Sequence, residues 1–245
     1  MSDQSDNSPS VVLLPPVGND ARTWDFVDLP DGARRHRFPG FGRPRAEAAL
    51  TMAGLADEVV AMYPGRLHLV GVSMGGMVAL NAALRHPDRV ASVLVACTGA
   101  SASPAVMEQR AVAAETGGMP HVLHETLDRW FTPAALSAVP AHPGVEYART
   151  LLLNLEPSAF AAGWRAIATH DTASRLGRLS MPVTAVAGGQ DRASALSRSE
   201  EIAERAPRGR LVVVDDAPHM IQLEQPAALG RIIAEHLEWA AESRS

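Results

Sequence analysis

The chain has 245 residues, of which 47% are hydrophobic and 20% charged, and its formal net charge at pH 7 is −5. These values are ordinary for globular proteins and exclude a disordered or low-complexity chain. An acidic chain without clustered cations does not suit a phosphate backbone, so no nucleic-acid partner is predicted. The single cysteine, Cys97, excludes an intrachain disulfide and a zinc site built from several cysteines.

Residues 1–10 are polar and acidic, and we interpret them as a disordered tail. They contain neither the basic start nor the apolar stretch of a signal peptide, and no apolar run approaches the ~20 residues that span a bilayer. We therefore expect a cytoplasmic protein that makes no membrane contact.

Short apolar runs alternate with helical patterns in the first part of the chain. Residues 11–14 form a continuous apolar run that stops at Pro15-Pro16, a pattern typical of a strand buried on both faces. The other predicted elements are a weaker strand over 35–38, a helix over 45–63, a strand over 67–72, a helix over 75–85 and a strand over 90–96. Alternation of this kind indicates a parallel sheet with crossover helices.

The alternation stops between residues 101 and 180, where helical patterns occur without a convincing strand. Helices are predicted there over 104–116, 121–130, 144–155 and 157–169. The alternation then resumes, with strands over 183–187 and 211–214 and helices over 198–206 and 226–241. We therefore predict an α/β fold whose core spans 11–100 and 181–245, interrupted by an inserted helical lid over 101–180.

The pentapeptide Gly71-Val72-Ser73-Met74-Gly75 has the form G-x-S-x-G and lies between a predicted strand and a predicted helix. A turn this tight strains the serine backbone, while the flanking glycines relieve the crowding and the hydroxyl projects above the sheet edge. The N-terminus of the following helix favours developing negative charge. Ser73 is therefore the predicted nucleophile, and the alternative is that it only caps the helix.

A nucleophilic serine needs a base, and the base needs an acid that orients it. Asp191 and His219 follow the last two predicted strands, in the order Ser, Asp, His, at strand ends where α/β sheets build their sites. Gly188 and Gly189 are expected to allow the loop conformation that turns the acid inward. Ser73, Asp191 and His219 are therefore the predicted catalytic residues.

Two further acids, Asp215 and Asp216, compete with Asp191 for the orienting role. They precede His219 in the same loop and are therefore poorly placed to hold its ring from behind. Asp191 could instead serve only an Asx turn, and His219 could be a surface histidine. The occurrence of all three residues in the expected order favours the triad over these readings.

An oxyanion is stabilised by two backbone N–H groups. Met74 follows the nucleophile directly and is predicted to supply one of them, and the loop after the first strand supplies the other. Since Pro15 and Pro16 have no N–H, Val17 is the predicted second donor.

These motifs resemble the α/β-hydrolase superfamily over residues 11–241. The matching segments are 71–80 and 86–90, which resemble the nucleophile elbow and its helix, 38–42, which resembles the loop after the second local strand, and 219–226, which resembles the histidine loop. The resemblance implies a mostly parallel sheet of about six strands with flanking helices.

The chain departs from the superfamily pattern in two places. Pro15-Pro16 stands where the superfamily usually has His-Gly, and only ten polar residues precede Val11. The leading antiparallel strand pair is therefore expected to be absent. The missing edge could offer a surface through which the protein forms a homo-oligomer.

Within the superfamily, the lid is similar to that of the 3-oxoadipate enol-lactonases, which open a small enol-lactone to a keto diacid. The similarity rests on 129–133, on Glu156-Pro157, and on 164–167 followed by His170-Asp171.

We predict an apolar substrate pocket, because a chain poor in aromatic residues places several of them in the lid. Its predicted lining is Trp130, Phe131 and Trp164, with Met74 and Met220. A diacid-type substrate also needs a cation, for which Arg22 is the candidate before the lid, and Arg129 and Arg165 are candidates within it. The aromatic residues could instead only hold the lid's helices together.

The predicted function is hydrolysis of a small carboxylic ester or lactone through an acyl-enzyme, with no metal or organic cofactor. A lyase or cyclase could use the same triad, since a base and an oxyanion hole also suit proton abstraction, and the short chain also resembles the menaquinone-pathway lyase of the superfamily. The change at Pro15-Pro16 leaves open a catalytically inactive binding module.

Overall fold

Six parallel strands form one sheet in the computed structural model, which describes residues 9–45 and 48–242. The strands are β1 (Ser10–Leu14), β2 (Arg34–Arg35), β3 (Leu67–Val72), β4 (Val90–Ala96), β5 (Val183–Gly188) and β6 (Gly209–Val214). Their spatial order is β2-β1-β3-β4-β5-β6, so the chain reverses its direction of travel beside β1, at the kind of switch point where α/β sheets bind ligands. The predicted sheet is confirmed.

Nine α-helices lie within the described part of the chain. They are α1 (Met52–Met62), α2 (Met74–Arg85), α3 (Pro104–Trp130), α4 (Pro133–Leu136), α5 (Pro143–Leu153), α6 (Pro157–Ala168), α7 (Leu196–Arg205), α8 (Ile221–Glu224) and α9 (Pro226–Glu242). Helices α3 to α6 fall between β4 and β5, where the lid was expected, and the strand-like pairing described there is a single bridge between Ser101 and Asp171. None of the described helices is long and apolar enough to cross a bilayer.

Two elements are shorter than the sequence predicts. Helix α1 begins at Met52 rather than at residue 45, because the Thr51 side chain accepts the Gly54 N–H (3.0 Å) and caps the helix there. Residues 46 and 47, which the predicted helix included, lie outside the described residues. The strand predicted over 35–38 is reduced to Arg34–Arg35, the two residues that pair with β1.

Helix α3 joins two helices that the sequence predicts separately. Its backbone leaves the helical conformation at Gly118 (φ 76°, ψ 172°), two residues before Pro120. A positive φ of this kind is readily adopted by glycine, and proline cannot donate to the preceding turn. The two halves of α3 are therefore separate straight segments joined by a kink.

The central strands β3, β4 and β5 are buried along their whole length, as expected when helices cover both faces of a parallel sheet. Alternate side chains point to opposite faces. Leu69 and Val93 pack in the core that contains α1 and α2, whereas Val70 and Leu94 pack in the core that contains α9. Because the two cores cover the faces of the sheet, the loops meet where the strands end, at their carboxyl ends.

Helix α2 approaches the carboxyl end of β1 at a distance that only glycine permits. A Cβ placed on Gly75 would lie 2.1 Å from the Leu14 carbonyl oxygen, and a Cβ on Gly71 would lie 2.3 Å from the carbonyl of Gly75. The sharp turn between β3 and α2 therefore requires glycine at both positions.

The sheet has two edges of different character. Edge strand β2 consists of two exposed arginines, and a short charged edge resists the addition of another strand. At the opposite edge, β6 leaves Leu211 and Val213 exposed. The homo-oligomer expected through the first edge stays a prediction.

We predict that Gly75→Ala lowers the free energy of unfolding by about 3 kcal/mol, because the new methyl group forces helix α2 away from β1. The measurement is urea unfolding followed by circular dichroism. Gly177→Ala is the matched control, since its Cβ would meet only the Arg205 carbonyl, at 3.9 Å. Equal unfolding midpoints for the two variants would contradict the close approach.

Candidate active site

Ser73 occupies the turn between β3 and α2 with a backbone conformation that L-residues rarely adopt (φ 51°, ψ −116°). Its N–H donates to the Ala96 carbonyl (2.9 Å), and its own carbonyl accepts the Thr98 hydroxyl (2.9 Å). Strain of this kind costs about 1–3 kcal/mol and persists only where neighbouring structure enforces it. The Ser73 side chain makes no capping bond to α2, so its hydroxyl is available for other contacts.

Three side chains from three loops form a hydrogen-bonded chain. His219 Nε2 lies 3.0 Å from Ser73 Oγ, and His219 Nδ1 lies 2.9 Å from Asp191 Oδ2 and 3.1 Å from Oδ1. Because the carboxylate accepts the Nδ1 proton, Nε2 of the neutral ring is free to accept the serine hydroxyl. The structure thus brings together the three residues that the sequence places after successive strands.

The Asp191 carboxylate is fully buried and further held by the backbone. Its Oδ1 accepts the N–H groups of Ala193 (2.7 Å) and Ser194 (2.9 Å), so the Asx turn considered as an alternative coexists with the contact to His219. The rival acids Asp215 and Asp216 are exposed. They take no part in the described contacts of His219.

Gly188 and Gly189 are needed for space rather than for backbone conformation. Neither has a positive φ, so the conformational reason expected from the sequence is wrong. A Cβ on Gly188 would lie 2.4 Å from the Ala217 carbonyl, and one on Gly189 would lie 2.4 Å from the Asp215 carbonyl. The two glycines let the aspartate loop lie directly against the histidine loop.

The loop after β1 forms a tight turn in which Asn19 N–H donates to the Pro16 carbonyl (3.2 Å) and Gly18 has a φ of 72°. Val17 lies inside this turn, and its N–H has no acceptor within the described residues. Met74 is the first residue of α2, where an N–H has no partner inside the helix. Both predicted oxyanion donors therefore have backbone N–H groups to offer.

A cavity of about 200 Å³ opens onto Ser73 and His219. Its apolar wall comes from Met77 on α2, from residues of α3 and α6, and from Ala102 in the segment before α3. The apolar lid residues of this wall are Ala102, Val106, Met107, Trp130, Trp164 and Ile167. Three arginines and several hydroxyl groups complete the lining.

Two of the predicted pocket residues, Trp130 and Trp164, line this cavity. Phe131, Met74 and Met220 are buried but do not line it. Trp130 also holds the histidine loop, because its carbonyl accepts the Met220 N–H (3.0 Å). The tryptophans thus both pack the lid and face the cavity.

Two of the three predicted cations are paired elsewhere. The Arg22 side chain is 68% exposed and pairs with Asp20 (2.8 Å), because the acid two residues away captures it. Arg165 pairs with Glu108 and Glu115 on α3 (2.9 and 2.7 Å) and lies outside the cavity lining. Arg129 does line the cavity.

Sequence reasoning missed Arg110 and Arg198, which also line the cavity. Arg110 follows the buried Met107 by three positions, so it borders the buried face of α3. That spacing could have indicated Arg110 from the sequence. Arg198 on α7 reaches the cavity only because α7 packs beside the loop at Gly99, which no local sequence pattern reveals.

His170 is buried and does not line the cavity. Its ring is buried, which lowers its pKa to about 4 and keeps it neutral. Nε2 donates to the Gly99 carbonyl (3.0 Å), and Nδ1 accepts the Asn81 amide (3.0 Å). The ring therefore ties α2 to the loop after β4, and both contribute to the cavity wall.

A sequence profile of the alpha/beta hydrolase family matches residues 11–232. The chain is 30% identical to a pimeloyl-[acyl-carrier protein] methyl ester esterase of Aeromonas hydrophila, over 92% of this chain and 94% of that protein. It is 29% identical to 3-oxoadipate enol-lactonase 2 of Acinetobacter baylyi, over 66% of this chain and 60% of that protein. Among solved structures, the enol-lactonase from Burkholderia xenovorans superposes with a TM-score of 0.86 at 25% identity, covering 97% and 94% of the two chains.

We predict that the Cys97 thiol does not react with Ellman's reagent in the native protein at about pH 8, although an ordinary thiol with a pKa of about 8.5 reacts there. Cys97 is fully buried, and burial together with the charge of Asp191 raises its pKa well above its usual value. The control is the urea-denatured protein, which should release one equivalent of chromophore. Equal reaction rates in both states would contradict the burial.

Proposed function

This chain belongs to the alpha/beta hydrolase family, and we propose that it is a serine hydrolase of small carboxylic esters or lactones. The observation that carries the proposal is the hydrogen-bonded chain from Ser73 through His219 to Asp191 at the mouth of a cavity. Its relatives are named esterases and enol-lactonases, and the bond broken in both cases is a carboxylic ester.

Acylation uses the triad in the order of its hydrogen bonds. Ser73 Oγ attacks the ester carbonyl carbon while His219 Nε2 takes the hydroxyl proton, and the Asp191 carboxylate stabilises the imidazolium that forms. The carbonyl oxygen becomes an oxyanion, which the N–H groups of Val17 and Met74 stabilise. The intermediate collapses when His219 returns the proton to the leaving alkoxide, leaving an acyl group on Ser73.

Deacylation repeats the same steps with water as the nucleophile. His219 Nε2 takes a proton from the water that attacks the acyl carbon, and the proton returns to Ser73 Oγ as the acid leaves. In a lactone the alcohol stays tethered to the acyl part, so ring opening yields a hydroxy acid or, from an enol-lactone, a keto acid.

The cavity favours a small acyl group. Its volume is about 200 Å³, and an apolar cavity of about 150 Å³ is enough for benzene. Two tryptophans and two methionines give it broad apolar surfaces. We therefore propose esters and lactones whose acyl part has only a few carbon atoms beyond the carbonyl.

We predict that Ser73→Ala reduces ester hydrolysis at least about 10⁴-fold, because no nucleophile remains, while the fold persists. Hydrolysis of short methyl esters and lactones is followed by acid release, and a fluorophosphonate probe should label the wild type only. Unchanged thermal unfolding is the control. Full labelling of the Ser73→Ala variant would overturn the nucleophile assignment, and turnover without any acyl-serine adduct would favour the lyase or cyclase.

We predict that Asp191→Asn reduces kcat by about 10³- to 10⁴-fold, since the amide favours the wrong tautomer of His219. Asp216→Asn is the matched control and should retain activity within about twofold, because Asp216 is exposed. The measurement is steady-state kinetics on one ester for both variants. A greater loss in Asp216→Asn would assign the acid to the other loop.

A further inference from the structure

The cavity beside Ser73 is positively charged. Arg110, Arg129 and Arg198 line it, and no aspartate or glutamate is part of its described lining. This contrasts with the chain as a whole, which has 27 acidic residues against 22 basic ones. A cationic lining in an acidic protein indicates a ligand with negative charge.

Two of the three guanidinium groups already have partners. Arg129 pairs with Glu125 one turn earlier on α3 and also donates to the Thr126 hydroxyl (3.4 Å). Arg198 donates to the Ser101 carbonyl, in the segment that precedes α3. These contacts hold the two groups in place without neutralising the charge of Arg198.

Arg110 has no hydrogen bond or ion pair among the described residues. Its guanidinium carbon lies 4.8 Å from the centre of the Trp164 ring, so the group is stacked on one face. Burial, and after it the charge of Arg129, lower the pKa of Arg110 to about 10, against the charge of Glu125, which raises it, so Arg110 stays charged at neutral pH. Its hydrogen-bond donors are therefore available to a ligand.

Several arginines elsewhere in the protein are paired with carboxylates, whereas Arg110 forms no ion pair among the described residues. Arg85 pairs with Asp57, Arg165 with two glutamates, and Arg205 with Glu201. A half-buried cation without a carboxylate, beside another cation, is unfavourable in an empty cavity and becomes favourable when an anion enters.

We propose that Arg110, assisted by Arg129, binds a carboxylate carried by the acyl part of the substrate. The proposal rests on the proposed function and narrows it to monoesters of dicarboxylic acids and to lactones that bear a carboxylate. The planar guanidinium can donate two parallel hydrogen bonds to the carboxylate, while Trp164 and Ile167 contact the carbon chain. Anchoring the far end in this way orients the ester carbonyl toward Ser73.

The test compares Arg110→Gln with the wild type on matched pairs of substrates. Each pair consists of the monomethyl ester of a four- to seven-carbon dicarboxylic acid and the same ester with its free carboxylate replaced by carboxamide. The wild type should hydrolyse the best carboxylate ester with a kcat/KM at least about tenfold above its amide. Arg110→Gln should lower kcat/KM for that ester by about 10- to 100-fold, mainly through KM, and leave the amide ester within about threefold.

Arg205→Gln is the matched control, because it removes an identical charge from helix α7 at a place outside the cavity. It should leave both substrates unchanged within about twofold. Arg110→Lys should recover part of the preference, since the charge returns without the planar fork. Equal losses on both members of a pair, or a wild type that prefers the amide, would overturn the carboxylate site while leaving the proposed hydrolase intact.

A binding measurement separates this proposal from the hydrolase itself. Calorimetric titration of the free dicarboxylic acids into the Ser73→Ala protein should show binding that the corresponding diamides lack. The Ser73→Ala/Arg110→Gln protein should bind the acids at least about tenfold more weakly. Binding that is insensitive to Arg110 would refute the site even if esters are cleaved, and Arg110-dependent binding without any ester cleavage would refute only the hydrolase.

Discussion

The contact between helix α2 and the carboxyl end of β1 is the constraint on which the site depends. Gly75 lies against the Leu14 carbonyl so closely that a methyl group would not fit, and Gly71 closes the turn from the other side. This approach holds Ser73 in its strained conformation and places the N-terminus of α2 directly after it. Two hydrogen bonds stabilise the strained turn: the Ser73 N–H donates to Ala96 at the end of β4, and the Ser73 carbonyl accepts the Thr98 hydroxyl.

The other parts of the site reach Ser73 because parallel strands end at one edge. Asp191 and His219 leave neighbouring strands β5 and β6, and their loops are pressed together by two glycines. The backbone N–H groups that hold the buried carboxylate of Asp191 compensate for its lost hydration and fix its position behind the ring of His219. Residues of α3 and α6 then form much of the wall of the cavity that opens onto Ser73 and His219.

The sheet and the meeting of Ser73, His219 and Asp191 were predictable because their signals are local. The strands β3, β5 and β6 appear as continuous apolar runs, although β6 is partly exposed, and the three side chains follow these runs within a few residues. The cavity was only partly predictable, since it depends on how α3, α6 and α7 pack together. The spacing of Arg110 from Met107 indicates that it borders the buried face of α3, but it does not show that a cavity lies there. Arg22, which the sequence offers as a candidate, is instead held at the surface by a neighbouring acid.

The kink at Gly118 divides α3 so that Arg110 belongs to one straight segment and Arg129 to the other. The angle at Gly118 thus sets the separation of these two cations, at a distance along the chain from Ser73, Asp191 and His219. In the proposed carboxylate site, that separation fixes where the carboxylate is held. The residues that would select the substrate and those that would cleave it consequently lie in different stretches of the gene, so each set can change by mutation without the other.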